Sequence, residues 1–216
     1  MKFIAEFIGT FLLVAVVIGS GIMAENLSGG NVAIALLGNT IPTGAILFVI
    51  IKMFDSVSGA HFNPAVSLVF WLRKELGAGD FYKYILLQIG GGLMAVLLVH
   101  YIFEIELFQL SNNVRGEIPL LVSEILATFG LVSTILFVRK NDAPSVAMAV
   151  ALFITAGYWF TSSTSFANPA VTISRNFTDT FTGIAPVSTL YFLGGQLIGC
   201  LIGYKIFQLF ENNNQN

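Results

Sequence analysis

His61-Phe62-Asn63-Pro64-Ala65-Val66-Ser67 recurs as Phe166-Ala167-Asn168-Pro169-Ala170-Val171-Thr172, both times inside strongly apolar sequence. Proline is tolerated in the first turn of a helix, where its missing N–H would have no intrahelical partner anyway. The asparagine before it is a favoured N-cap. Each Asn-Pro-Ala triplet therefore predicts a helix start. Two such starts, at corresponding places in the two halves of a membrane chain, predict a substrate site assembled from half-helices, and hence a pore or a carrier.

Composition puts the chain in the bilayer. Charged residues are 10% of the sequence, against about 25% in soluble domains, and the mean hydropathy is +0.83. Six stretches are long and apolar enough to span, at 3–23, 32–52, 81–103, 119–138, 144–161 and 186–210. The Asn-Pro-Ala segments start two shorter helices, 64–74 and 169–178. In lipid every backbone polar group must be satisfied internally, and continuous apolar runs of this length do so as helices. The expected fold is an all-α polytopic membrane protein, six transmembrane helices plus two re-entrant half-helices, in a single domain over 1–216. The polar tail Glu211–Asn216 reads as a frayed end.

Basic residues set the expected orientation. With the N-terminus inside, Lys2, Lys52, Arg73, Lys74, Lys83, Arg139, Lys140 and Lys205 fall on the cytoplasmic side, and only Arg115 and Arg175 fall outside. Both termini are then cytoplasmic, in the cell (inner) membrane. The first span follows Lys2 as a signal peptide would, but Ile22-Met23-Ala24 is a poor cleavage site. A net charge of −2 argues against a nucleic-acid partner. The single Cys200 forbids an internal disulfide and reads as a small buried residue.

The two halves repeat. Glu6-x-x-x-Thr10 matches Glu124-x-x-x-Thr128, Asn63 matches Asn168, and Gln88 matches Gln196, at offsets of 118, 105 and 108 residues. Each half (about 1–103 and 119–210) holds three spans, an odd number, so the second enters the membrane the other way up. The half-helices then dip in from opposite sides and meet tip to tip, and a linker around Glu104–Glu117 joins the halves outside.

Ser58-Gly-Ala-His61-Phe-Asn63-Pro-Ala-Val66, the second Asn-Pro-Ala and the paired Glu-x-x-x-Thr motifs resemble the aquaporin (major intrinsic protein) family over essentially the whole chain. The resemblance implies one pore per subunit in a homotetramer, with lipid and a small neutral solute as partners and no cofactor or metal. In such a pore Asn63, Pro64 and Ala65 face Asn168, Pro169 and Ala170. The two amides hydrogen-bond the passing molecule, and the positive helix ends oppose cations.

Selectivity is where the chain departs from its relatives. Family members usually carry Arg directly after the second Asn-Pro-Ala; here it is Val171. Ungapped spacing carries the other filter positions onto Thr43, Ala156 and Ser165, where water-selective relatives usually have Phe and His at the first two. A filter of Thr43, Ala156, Ser165 and Val171 is small and uncharged, and predicts a wide aperture. Among aquaporins it most resembles a bacterial subgroup linked to trivalent arsenic, whose hydroxide is neutral at pH 7. A passive channel for water and larger uncharged molecules, such as metalloid hydroxides or glycerol, is the expectation. An ordinary water or glycerol channel and a coupled secondary transporter are the alternatives.

Other residues divide by role. Arg175 lies four residues after Val171, on the same helix face, and either lines the outer vestibule or braces a loop. Glu6 and Glu124 are carboxylates inside spans. A proton-coupled carrier would need such groups, but their equivalent places in the repeat fit acceptors for re-entrant backbone. His61 is expected to organise the first loop, and Asp55 to pair or solvate within it. Ser162, Ser163 and Thr164 have no base or acid beside them and no H-E-x-x-H occurs, so catalysis is not expected.

Overall fold

The computed structural model describes residues 1–213. Six long helices, α1 (Lys2–Leu27), α2 (Val32–Ser58), α4 (Ala78–Ile102), α5 (Ile118–Asp142), α6 (Val146–Phe160) and α8 (Thr189–Asn213), surround two short ones, α3 (Pro64–Leu72) and α7 (Pro169–Ser174). There is no strand among the described residues. Length and hydropathy alone pick out five membrane-crossing runs, because 118–160 reads as one. A 3-10 turn at Ala143–Ser145 breaks that run into α5 and α6, and Ser145 donates to the Asp142 carboxylate there. Proline at 144 cannot continue the donor ladder of α5, so the chain reverses at this point.

Chain order and packing show the inverted repeat. Helix α1 packs against α2 and α4, α5 packs against α6 and α8, and α2 meets α6 to join the two halves. The half-helices touch each other and fill the middle. Two pairs approach so closely that only glycine fits. A Cβ at Gly91 would fall inside van der Waals contact of the Phe7 carbonyl oxygen on α1, and one at Gly199 would strike the Ile125 carbonyl oxygen on α5. In lipid such close approach supplies the dispersion contact that drives helix association.

The structure moves some expected boundaries. Helix α2 runs to Ser58, so Asp55 sits in its last turns rather than in the re-entrant loop. Helix α8 continues through Asn213, where a frayed tail was expected, and Glu211 is held by Arg73. The rest of that tail, 214–216, lies outside the described residues. Linker 104–117 has no regular helix and docks on the outer loop of the second half, with Ser111 N–H on Asn176 O (2.9 Å) and Ala185 N–H on Asn113 O (2.8 Å).

Gly199→Ala forces a methyl group against main chain and is expected to destabilise the fold by about 1–3 kcal/mol. Gly79→Ala meets no atom within 4 Å and leaves stability unchanged or slightly raised. Thermal denaturation of both variants in the same detergent checks the pair.

A central cavity as the candidate functional site

Each re-entrant loop turns through several left-handed residues. In the first loop Ala60 (φ 50°) and Phe62 (φ 49°) are left-handed, and in the second Ser165 (φ 50°) and Ala167 (φ 46°). Side chains disfavour this backbone region, so something must hold it. The holders are the two intramembrane glutamates. Glu6 Oε1 accepts from His61 N–H (2.9 Å) and Ser58 Oγ (2.7 Å), while Oε2 accepts from Phe62 N–H (2.7 Å) and Gln88 Nε2 (2.7 Å). Glu124 repeats the arrangement, with Phe166 N–H (3.0 Å) on Oε1 and Ala167 N–H (2.9 Å) and Gln196 Nε2 (2.7 Å) on Oε2. Both glutamates are 0% exposed. The glutamines go on to bond the half-helices, Gln88 to Ser67 Oγ (3.0 Å) and Gln196 to Thr172 Oγ1 (2.8 Å).

Held this way, the asparagines meet. Asn63 Oδ1 caps Ala65 N–H (2.9 Å), and Asn168 Oδ1 caps Ala170 N–H (3.0 Å). Their amide nitrogens cross to the opposite loop, Asn63 Nδ2 to Ala167 O (2.7 Å) and Asn168 Nδ2 to Phe62 O (2.9 Å). An amide nitrogen carries two hydrogens, so each keeps one for the cavity that both residues line. Pro64 and Pro169 occupy the first helical positions, as their missing donors require, and Ala65 and Ala170 are buried behind them.

The cavity has a volume of about 540 Å³. It runs from Lys2, Glu75 and Asp80 at one end, past both asparagines, to Thr43, Tyr158, Phe166 and Arg175 at the other. None of its lining residues comes from outer loops 104–117 or 176–188. Its walls are helix faces at i, i+4 spacing: Thr43, Leu47 and Ile51 on α2, and Val146, Val150, Ile154 and Tyr158 on α6. The wall between the two mouths is therefore largely apolar, with hydrogen-bonding groups at the asparagines and at both ends.

Thr43, Ser165 and Val171 all line the cavity, and Thr43 rather than Pro42 or Gly44 does so on α2. Ala156 does not. It is exposed on the outer face of α6, and the ring of Tyr158 takes its place, with its hydroxyl 3.2 Å from Thr43 Oγ1. The ungapped carry-over failed because Thr161–Thr164 turn irregularly between α6 and Asn168, so spacing counted back from Asn168 loses helical register. Val146, Val150 and Ile154 were a legible stripe whose next member is Tyr158. Arg175 lines the cavity and also braces the outer loop, donating from Nε to Thr182 O. His61 lines the inner half, with Nδ1 3.1 Å from Ser67 Oγ and its ring stacked on Phe70.

At the inner mouth, Glu75 ties the α3–α4 connection to α5. Its carboxylate pairs with Arg139 Nη1 (2.6 Å) and Arg73 Nε (2.6 Å), and Arg73 reaches Glu211 (3.1 Å). Partial burial alone would raise the Glu75 pKa, but bonds from Arg139 and Arg73 outweigh it and hold the carboxyl below its usual range.

Comparison with known proteins agrees with this architecture. Residues 1–144 match the family model of the Major intrinsic protein (MIP). The chain is a member of the major intrinsic protein family. It is 47% identical over 205 residues to the aquaglyceroporin AqpS of Rhizobium meliloti (strain 1021), covering 95% of this chain and 88% of that one. A probable NIP-type aquaporin of Nicotiana alata is 27% identical over 99% of this chain and 79% of its own. The X-ray structure of the aquaglyceroporin from Plasmodium falciparum superposes with a TM-score of 0.71, over 97% of this chain and 93% of that one, at 20% identity. That likeness speaks to the fold, a multi-pass helical membrane protein.

Two outcomes follow from these networks. Glu124→Gln turns one acceptor toward a loop N–H into a donor and is expected to cost on the order of 3 kcal/mol, read as a lowered midpoint of thermal unfolding. Glu75, whose folded pKa is depressed, stabilises the protein above about pH 4, the range of a free glutamate, and that contribution is lost as pH falls through the folded value. The melting difference between wild type and Glu75→Gln is accordingly present at neutral pH and closes on acidification.

Proposed function

We propose that the protein is a passive channel for small neutral solutes: water, glycerol and hydroxides of trivalent arsenic. The observation that carries this reading is the cavity itself. It is lined by apolar helix faces, paired at its centre by Asn63 and Asn168, and bordered by Val171 where the family usually has Arg. An apolar wall offers no substitute for the hydration shell of an ion, whereas a neutral molecule needs only the few donors and acceptors present. Similarity to a protein named aquaglyceroporin supports water and glycerol as the broad class. The arsenic hydroxide rests on the uncharged residue at Val171. Tyr158 removes the breadth expected of Ala156, but Thr43 and Val171 remain small on their two sides. A coupled carrier is disfavoured because Glu6 and Glu124 are fully buried, saturated with internal donors, and do not line the cavity. Four subunits side by side in the inner membrane, with both termini cytoplasmic, complete the proposal.

Stopped-flow light scattering on proteoliposomes tests it. Wild type is expected to admit water, glycerol and arsenous acid, and Val171→Arg to lower both solute rates by about tenfold or more while water flow persists. Water flow alone, unchanged by the arginine, would replace the proposal with a plain water pore.

A further inference from the structure

The Val171 layer carries no charge, yet a cation lines the cavity one helical turn further along. Arg175 follows Val171 by four residues, which on a helix places it about 6 Å further out on the same face. It is 4% exposed and lines the cavity. Its guanidinium lies 3.5 Å from the centroid of the Phe166 ring, and Nε donates to Thr182 O. Among the described residues no carboxylate stands within ion-pair distance of it, and its Nη atoms make no hydrogen bond. Stacking and one carbonyl fix the group in place without neutralising it.

Two hydroxyl-bearing residues, Thr43 and Tyr158, line the same cavity. Thr43 Oγ1 donates to Asn39 O (2.8 Å), so the 3.2 Å contact with Tyr158 is a bond donated by the tyrosine. That leaves the Tyr158 oxygen as an acceptor. Ser165 also lines the cavity, but its Oγ is buried against Gly157 of α6 and does not open onto it. Free donors on Arg175 and an acceptor on Tyr158 fit a molecule bearing hydroxyl groups.

We propose that the selectivity filter of this channel takes its fixed cation from Arg175, one helical turn outside Val171, with the Tyr158 hydroxyl as the acceptor that receives a solute's hydroxyl group. This rests on the neutral-solute reading and gives that site its charge barrier. An unneutralised guanidinium in a low-dielectric wall repels sodium ions and protons. Anions are drawn to this cation but stopped by the apolar faces of Val150, Ile154 and Val171 behind it, which cannot replace their water. Polyols and other neutral hydroxyl-bearing molecules meet neither obstacle. Phe166 and Thr182 act as positioning residues for the arginine.

Proteoliposomes with a trapped pH dye and a trapped sodium dye test this on four proteins: wild type, Arg175→Met, Arg175→Met combined with Val171→Arg, and Tyr158→Phe. Arg175→Met is expected to raise sodium and proton leak by about tenfold or more while glycerol still enters, and the added arginine at 171 to return the leak to the wild-type level. Wild-type leak in an Arg175→Met protein that still passes glycerol overturns the proposal. Should that variant not reconstitute, Tyr158→Phe decides, since it keeps the ring and removes only the hydroxyl. A fall of about threefold in its glycerol-to-water permeability ratio is expected, and an unchanged ratio overturns the proposal. Absence of glycerol entry in wild type would instead sink the neutral-solute reading, whatever the leak measurements show.

Discussion

Everything in this molecule depends on two carboxylates that accept backbone N–H groups inside the bilayer. A loop cannot cross lipid unless its peptide groups find partners, since each one left bare costs several kcal/mol there. Glu6 and Glu124 supply those partners from neighbouring helices, and so make it possible for the chain to stop, turn and start a helix halfway through the membrane. A buried charge is itself expensive, and here the donors that surround each carboxylate offset that cost. The left-handed residues Phe62 and Ala167 persist because their N–H groups are bound in this way.

From the braced loops the rest follows in sequence. The asparagines are fixed by their caps, and their amides cross between halves to Ala167 O and Phe62 O. That exchange ties one half-helix to the other with no covalent link. Around it the long helices can afford only close packing, which the glycines at 91 and 199 allow. Rigid walls and a rigid centre define a passage whose width is set by side chains at i, i+4 positions rather than by loop motion.

The sequence made the centre of this arrangement legible and its outer rim much less so. Asn-Pro-Ala, Glu-x-x-x-Thr and the repeated glutamines could be read because each is a local rule of capping or satisfaction that holds wherever the helix lies. Six spans were visible although α5 and α6 run together in hydropathy, because Asn141-Asp142-Ala143-Pro144 is polar and turn-forming. Ser165 and Val171, close to Asn168 in the chain, line the cavity. Ala156 does not, since an irregular turn separates it from that anchor and rotates the face of α6 that looks inward. The contact between Tyr158 and Thr43 joins residues 115 apart, which no local pattern encodes. Arg175 stood at a readable helical spacing, but only the fold could show that Phe166 and Thr182 receive it.

The partners of the two re-entrant loops also differ in when they are made. The brace for the first loop, Glu6, precedes it in the chain, and Gln88 follows within one span, so the first half contains its own complete set of partners. The crossing bond from Asn63 reaches Ala167, 104 residues later. As the chain emerges from the ribosome, the first half can thus close around Glu6 before the second exists, with one amide left waiting at its tip. The second half then has a finished surface against which to fold, and the exchange between Asn63 and Asn168 can close only once that half has been made.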